Sequence, residues 1–233
     1  MRLRCAVTVT KKNMTLVQQI KNLLLAKQGF SIYLIWVFHI SAMIGITLGY
    51  EDWFMTKTPL NLSFIFVLLL LSFPERSLKL WAGVAFFFVG GMFLEWVGVH
   101  YGFLFGSYAY GENLGPKLDG IPYFIGINWA VLTLTTGVIA TALVKHPLLR
   151  VLIGSGLMVF LDLLLEYSAP VFDFWTFEGG LASLQNYVAW FGFSFLFHLV
   201  YQSLKLKGEK VFAYHLYAVH LVFFGYFYVF YYL

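Results

Sequence analysis

The chain has 233 residues, 61% of them hydrophobic and only 11% charged, with a formal net charge of +4. A soluble domain carries about 25% charged residues, so the composition excludes an ordinary soluble fold and predicts a polytopic membrane protein. The lone cysteine, Cys5, permits no intrachain disulfide, and the basic residues follow membrane side rather than forming a nucleic-acid-binding patch.

Residues 1–29 are mixed in character and read as a basic N-terminal segment. No small-residue cleavage site follows the first apolar run, so no secretory signal is expected. Residues 1–13 read as an unstructured lead, which makes Met14 an alternative start. Residues 30–233 read as one transmembrane helical domain. Spanning takes about 20 apolar residues, range roughly 17–25, and the runs predict about seven helices. In order these cover 30–50, 58–73, 78–101, 123–144, 148–167, 185–204 and 211–232. Pro59 suits a first turn and Pro74 ends the second helix. Pro122, Pro147 and Pro170 bound the fourth and fifth.

Short loops set orientation through their Lys and Arg. With seven spans, every Lys and Arg falls on one side except Lys57 and Lys117. The N-terminus is therefore expected in the cytoplasm and the C-terminus on the outer side. Most acids lie opposite the bases, and three of them, Glu95, Asp162 and Glu166, fall inside the outer halves of apolar helices. An acid at a helix centre costs about 2.5–3.5 kcal/mol on insertion scales, so intramembrane acids mark function by default.

Glu95 heads the stretch around which the chain is organised. Gly91, Glu95, Gly98 and Gly102 share one helical face. Small residues let a neighbouring helix approach, so Glu95 is expected to face protein, either as a functional carboxyl or as one satisfied by a Trp or Tyr donor. Asp162 and Glu166 are four apart and also share a face, continued inward by Gly154 and Met158. Two carboxyls this close in a low dielectric resist joint ionisation, so one is expected to keep its proton near neutral pH, as a proton donor would.

The loops flanking these helices are rich in turn formers and aromatics: Gly115-Pro116, Asp119-Gly120, Tyr108, Tyr110 and Trp175. Asn128-Trp129 opens the fourth helix, and Asn186 and Trp190 share a face of the sixth. Amides inside spans usually bond across helices. His100, beside Glu95, is a candidate polar group of the site. No two histidines have the spacing that sets two ligands on one helix face, so no metal site is expected.

These motifs resemble the integral-membrane carotenoid biosynthesis family, in particular its CruF-type carotenoid 1,2-hydratases. The resemblance rests on Glu95, Gly98, Tyr101-Gly102 and Phe105-Gly106-Ser107-Tyr108-Ala109-Tyr110. It continues through Leu114-Gly115-Pro116, Gly120-Ile121-Pro122, Asn128-Trp129, Asp162, Glu166, Pro170, Trp175, Gln185-Asn186-Tyr187 and Trp190. Phe124-Ile125-Gly126-Ile127 and residues 179–184 depart from the family pattern. The resemblance implies cofactor-independent addition of water across the terminal C1–C2 double bond of an acyclic (ψ) carotene end, giving a tertiary alcohol.

The residues suit that chemistry. Asp162 or Glu166 would protonate the alkene, and Glu95 would be the partner carboxylate or orient water. The aromatics Tyr108, Tyr110, Trp129, Trp175 and Trp190 would face a cation at about 0.5–2 kcal/mol each. His100, Asn128 and Asn186 would complete the substrate site. The resemblance further implies a lipophilic carotenoid substrate, membrane lipid around the helices, no nucleic acid, contact with other carotenoid-pathway enzymes, and a prokaryotic inner membrane. The alternatives are a membrane carotenoid cyclase, which begins with the same protonation, and a non-catalytic transporter or pigment-binding protein. The last helix carries only Lys210, at its very start, which disfavours a Schiff-base pigment.

Overall fold

Prolines and glycines punctuate the helices as the sequence predicts. The computed structural model describes residues 16–233, with side chains from residue 28 onward. Cys5 and the expected lead at 1–13 lie outside the described residues. Eight helices occur among the described residues: α1 (Leu16–Thr47), α2 (Glu51–Met55), α3 (Thr58–Leu71), α4 (Leu78–Tyr101), α5 (Tyr123–Leu143), α6 (Pro147–Ser168), α7 (Leu184–Leu204) and α8 (Lys210–Tyr232). Pro59 and Pro147 occupy first turns, where the missing N–H is not needed. Glu209 caps α8 by accepting from the Val211 and Phe212 amides at 2.8 and 3.2 Å.

The protein is an all-α polytopic bundle. Helices α3 to α8 follow the predicted ones closely, whereas α1 starts at Leu16 and ends at Thr47 against the predicted 30–50; the short α2 is additional, and its acids Glu51 and Asp52 sit in the first turn, where the helix dipole favours them. Among the described residues, five helical segments are long and apolar enough to cross a membrane: Gln28–Thr47, Leu78–Tyr101, Tyr123–Leu143, Pro147–Ser168 and Lys210–Tyr232. With 14 residues, α3 is about 21 Å long, short of a hydrocarbon core of about 30 Å. With 21 residues, α7 has the length, but Gln185, Asn186, His198 and Gln202 lower its hydropathy.

The central helix is α5, with 78% of its apolar window buried against 22% for α1. It packs on α3, α4, α6, α7 and α8. Consecutive helices α4 to α7 run antiparallel, so the C-terminal ends of α4 and α6 meet the N-terminal ends of α5 and α7. Over that end lie two short ribbons. Strand β1 (Tyr108–Tyr110) pairs antiparallel with β4 (Trp175–Phe177), setting Tyr108 opposite Phe177 and Tyr110 opposite Trp175. Strands β2 (Lys117–Leu118) and β3 (Ile121–Pro122) form a hairpin. Its turn residues Asp119 and Gly120 have φ of 50° and 84°, the pattern of a type I′ turn.

Candidate active site

Strand alternation supplies the lid of the site. Residues two apart point the same way, so β1 and β4 turn Tyr108, Tyr110, Trp175 and Phe177 toward the helices and leave Ala109 and Thr176 exposed. The lid is tied down at its edges. The Glu112 amide donates to Asp173 Oδ2 at 2.8 Å, and Lys117 Nζ donates to the Tyr110 carbonyl at 2.9 Å.

Beneath it, Glu95 of α4 is 3% exposed. Two glycines make its position reachable. A Cβ on Gly91 would lie 2.6 Å from Trp129 Cβ, and one on Gly98 would lie 2.5 Å from the Phe105 ring and 2.8 Å from Tyr108 Oη. The expected close approach thus occurs on both sides of Glu95. Its Oε2 accepts from Tyr108 Oη at 2.5 Å and Tyr110 Oη at 2.6 Å, and its Oε1 accepts from Trp129 Nε1 at 2.8 Å. Accepting at both oxygens is the pattern of an ionised carboxylate. Burial first, then the Glu95 charge, pushes the Tyr108 and Tyr110 hydroxyls well above the usual phenol range, so both stay protonated donors.

Asp162 and Glu166 of α6 are 3% and 4% exposed. Glu166 accepts from Trp175 Nε1 at 3.1 Å and, at a longer 3.4 Å, from Asn186 Nδ2. The same Asn186 amide faces Asp162. Asp162 Oδ2 is different: it is buried with no hydrogen-bond partner among the described residues. All three carboxyls line one cavity of about 10 Å³, closed by Phe105, Tyr108, Tyr110, Ile125, Trp175, Phe177, Asn186 and Trp190. A single water needs roughly 10–15 Å³. Trp190 stacks on Trp129 at 4.0 Å between centroids and 15° between planes, so the aromatic wall is two indoles deep.

The structure thus gathers Glu95, Asp162, Glu166, Tyr108, Tyr110, Trp129, Trp175, Asn186 and Trp190 at one end of the bundle. It does not bring in His100, which is turned to the protein surface. There its ring stacks on Trp96 at 4.8 Å and its Nε2 lies 3.2 Å from Asp119 Oδ2. One helical step past Gly98 and Val99 carries it off the Glu95 face. Nor does Asn128 join the carboxyls; it is half-buried and lines a separate apolar cavity of about 480 Å³. Ile125 and Phe177 line the small cavity without having been expected there. The alternation Trp175-Thr176-Phe177 could have revealed Phe177; a lone Ile125 on an apolar helix carries no signal. Among the described residues, no group of three or more His, Cys, Asp or Glu is arranged to hold a metal ion.

A family model described as "Carotenoid biosynthesis protein" matches residues 57–232, which include every element of this site. The chain belongs to the carotenoid biosynthesis protein family. No curated protein and no solved structure matches it. Together, the family and the five apolar helices make it a multi-pass membrane protein of carotenoid biosynthesis. Within this family member, the matched segment begins just before α3, so α1 and α2 precede it.

Proposed function

We propose that this protein is a carotenoid 1,2-hydratase of the CruF type, adding water to the terminal C1–C2 double bond of an acyclic carotene end. The observation that carries the reading is the asymmetry of the three carboxyls around a water-sized cavity. Among the described residues, Glu95 accepts three hydrogen bonds and Glu166 two, whereas Asp162 presents a buried oxygen with no partner. A bare buried carboxylate oxygen is costly, while a protonated carboxyl there is a sheltered acid.

Asp162 gives its proton to C2, and the alkene's electron pair forms the new C–H bond. The tertiary cation at C1 faces Trp190, backed by Trp129, and the fixed negative charge of Glu95. A water attacks C1, and Glu166 takes the proton that water loses. Transfer from Glu166 to Asp162, one helical turn away, restores the acid. The sum is one water added, with no redox change. A cyclase would share the first step, but the small, polar-lined cavity favours water capture over folding of the chain upon itself.

The charge distribution supports a cytoplasmic N-terminus and a site near the outer face; a prokaryotic inner membrane is what the family resemblance implies. The test is expression in cells accumulating an acyclic carotene, then mass analysis of the pigments with and without oxygen. A species heavier by one water, formed equally without oxygen, is expected. An isomer of unchanged mass would replace this reading with cyclisation.

A further inference from the structure

Helix α6 presents two adjacent stripes to two cavities. Asp162 and Glu166, one turn apart, line the small carboxyl cavity, while Leu161 and Leu165, each one residue earlier, line the large one. One residue is about 100° of helix rotation, so the cavities lie side by side against the same helix. Ile125 of α5 and Trp175 of β4 line both, and are therefore the partition between them.

The large cavity, about 480 Å³, falls within the roughly 300–1,000 Å³ range of ligand sites and is walled by α1, α2, α3, α5, α6 and α8. Its lining is overwhelmingly apolar. At its rim, Phe38 of α1, Trp53 of α2 and Leu60 of α3 are 44%, 60% and 65% exposed. Phe38 belongs to an apolar span, while Lys57 sits over the Trp53 ring at 5.7 Å, so the mouth runs from the hydrocarbon side to a polar edge. Its polar lining groups, among them His39, Asn61, Asn128 and His220, are scattered among apolar side chains, so a linear hydrocarbon finds a largely matching wall.

We propose that this chamber is the berth of an acyclic polyene chain, and that Ile125 and Trp175 form the aperture that passes its slender open end to the carboxyls and stops a ring. The aperture rests on the hydration reading; the chamber as a polyene site can be tested apart from it. Trp175 holds its place through its bond to Glu166, so aperture and catalytic group are fixed together. Specificity for an open end then comes from the width of the partition, and affinity from the chamber.

An achiral acyclic carotene dissolved in lipid has no visible circular dichroism, whereas one held in a chiral site acquires an induced band. The protein reconstituted in lipid vesicles with such a carotene gives two readouts, the induced band and the hydrated product. Wild-type protein is expected to show both. Asp162→Asn keeps the band and loses the product. Ala42→Trp, which fills the chamber from α1, loses about tenfold or more of both. Ile125→Trp keeps the band but loses product by about 100-fold, because the end no longer reaches the acid. The graded variants Ala42→Leu and Ala42→Phe serve if Ala42→Trp does not elute as folded protein.

A product yield unmoved by filling at Ala42 overturns the chamber and leaves hydration standing. A band lost on filling at Ala42, with no product from wild-type protein, overturns hydration and leaves the chamber standing. Undiminished product from Ile125→Trp overturns the aperture, and absence of both band and product from wild-type protein overturns the whole scheme.

Discussion

Asp162→Asn separates a catalytic acid from a structural one, because the two roles predict opposite changes in stability. The side chain keeps its shape, and the Asn186 amide still faces it. The position of Oδ2, buried and unpartnered, is taken by an amide group that can donate toward the neighbouring Glu166 carboxyl. An unsatisfied buried polar group costs about 1–3 kcal/mol, so the variant is expected to be more stable by that order. At about 2–4 °C per kcal/mol for a chain of this size, its unfolding temperature rises by about 2–12 °C. Turnover falls by at least about 100-fold, the lower bound for loss of a positioned general acid. The assay pairs tryptophan-monitored thermal unfolding in lipid nanodiscs with product mass analysis of the same preparation. A variant that is both less stable and less active would mean that Asp162 holds the bundle together. Turnover near the wild-type level would remove it from the role of acid.

Trp129→Phe takes from Glu95 Oε1 its donor among the described residues and thins a buried indole stack, at a cost of about 2–4 kcal/mol; a drop in unfolding temperature checks it, and an unchanged one means the Trp129–Glu95 bond does not form. Gly98→Ala drives a methyl into Phe105 and Tyr108 Oη, lifting the β1–β4 lid at a cost of about 1–3 kcal/mol and lowering turnover. Gly156→Ala, with nothing within 4 Å of its added Cβ, is the control that retains activity. His100→Ala leaves turnover within about twofold, as a surface substitution should, and a tenfold loss would return His100 to the site.

What the sequence made legible follows from how far each signal reaches along the chain. Helix limits are local: Pro122 before α5 and Pro147 at the start of α6 mark ends that the structure reproduces; Gly102, read as sharing a helical face with Gly91, Glu95 and Gly98, instead lies past the end of α4 at a left-handed φ of 67°. The sharing of a face by Asp162 and Glu166 is equally local, since it needs only helical spacing. The early start of α1 at Leu16 was not legible, because residues 16–27 are mixed in hydropathy and carry no span-like apolar run. The β1–β4 pairing joins Tyr108 to Phe177, and nothing within either tripeptide names its partner. His100 misled for the same reason. Its neighbour in sequence is Glu95, but its contact is Asp119, brought near by the type I′ turn.

The hydrogen-bond pattern also reconciles two readings of Glu95 that the sequence left open. A carboxyl satisfied by Trp and Tyr donors was the structural alternative to a functional one, and Trp129, Tyr108 and Tyr110 do satisfy it. The two are not exclusive. Donors fixed by an indole stack and a two-stranded lid hold a negative charge in place without water, which is what stabilising a transient cation requires. The same donors, by fully engaging Glu95, make it a poor proton source. In the proposed scheme the satisfied carboxyl and the partly satisfied one thus divide the work: Glu95 stabilises charge, and Asp162, whose Oδ2 has no partner among the described residues, delivers the proton. Replacing Tyr108 and Tyr110 together by Phe should therefore weaken cation stabilisation while leaving Asp162 in place, and lower turnover more than carotene binding.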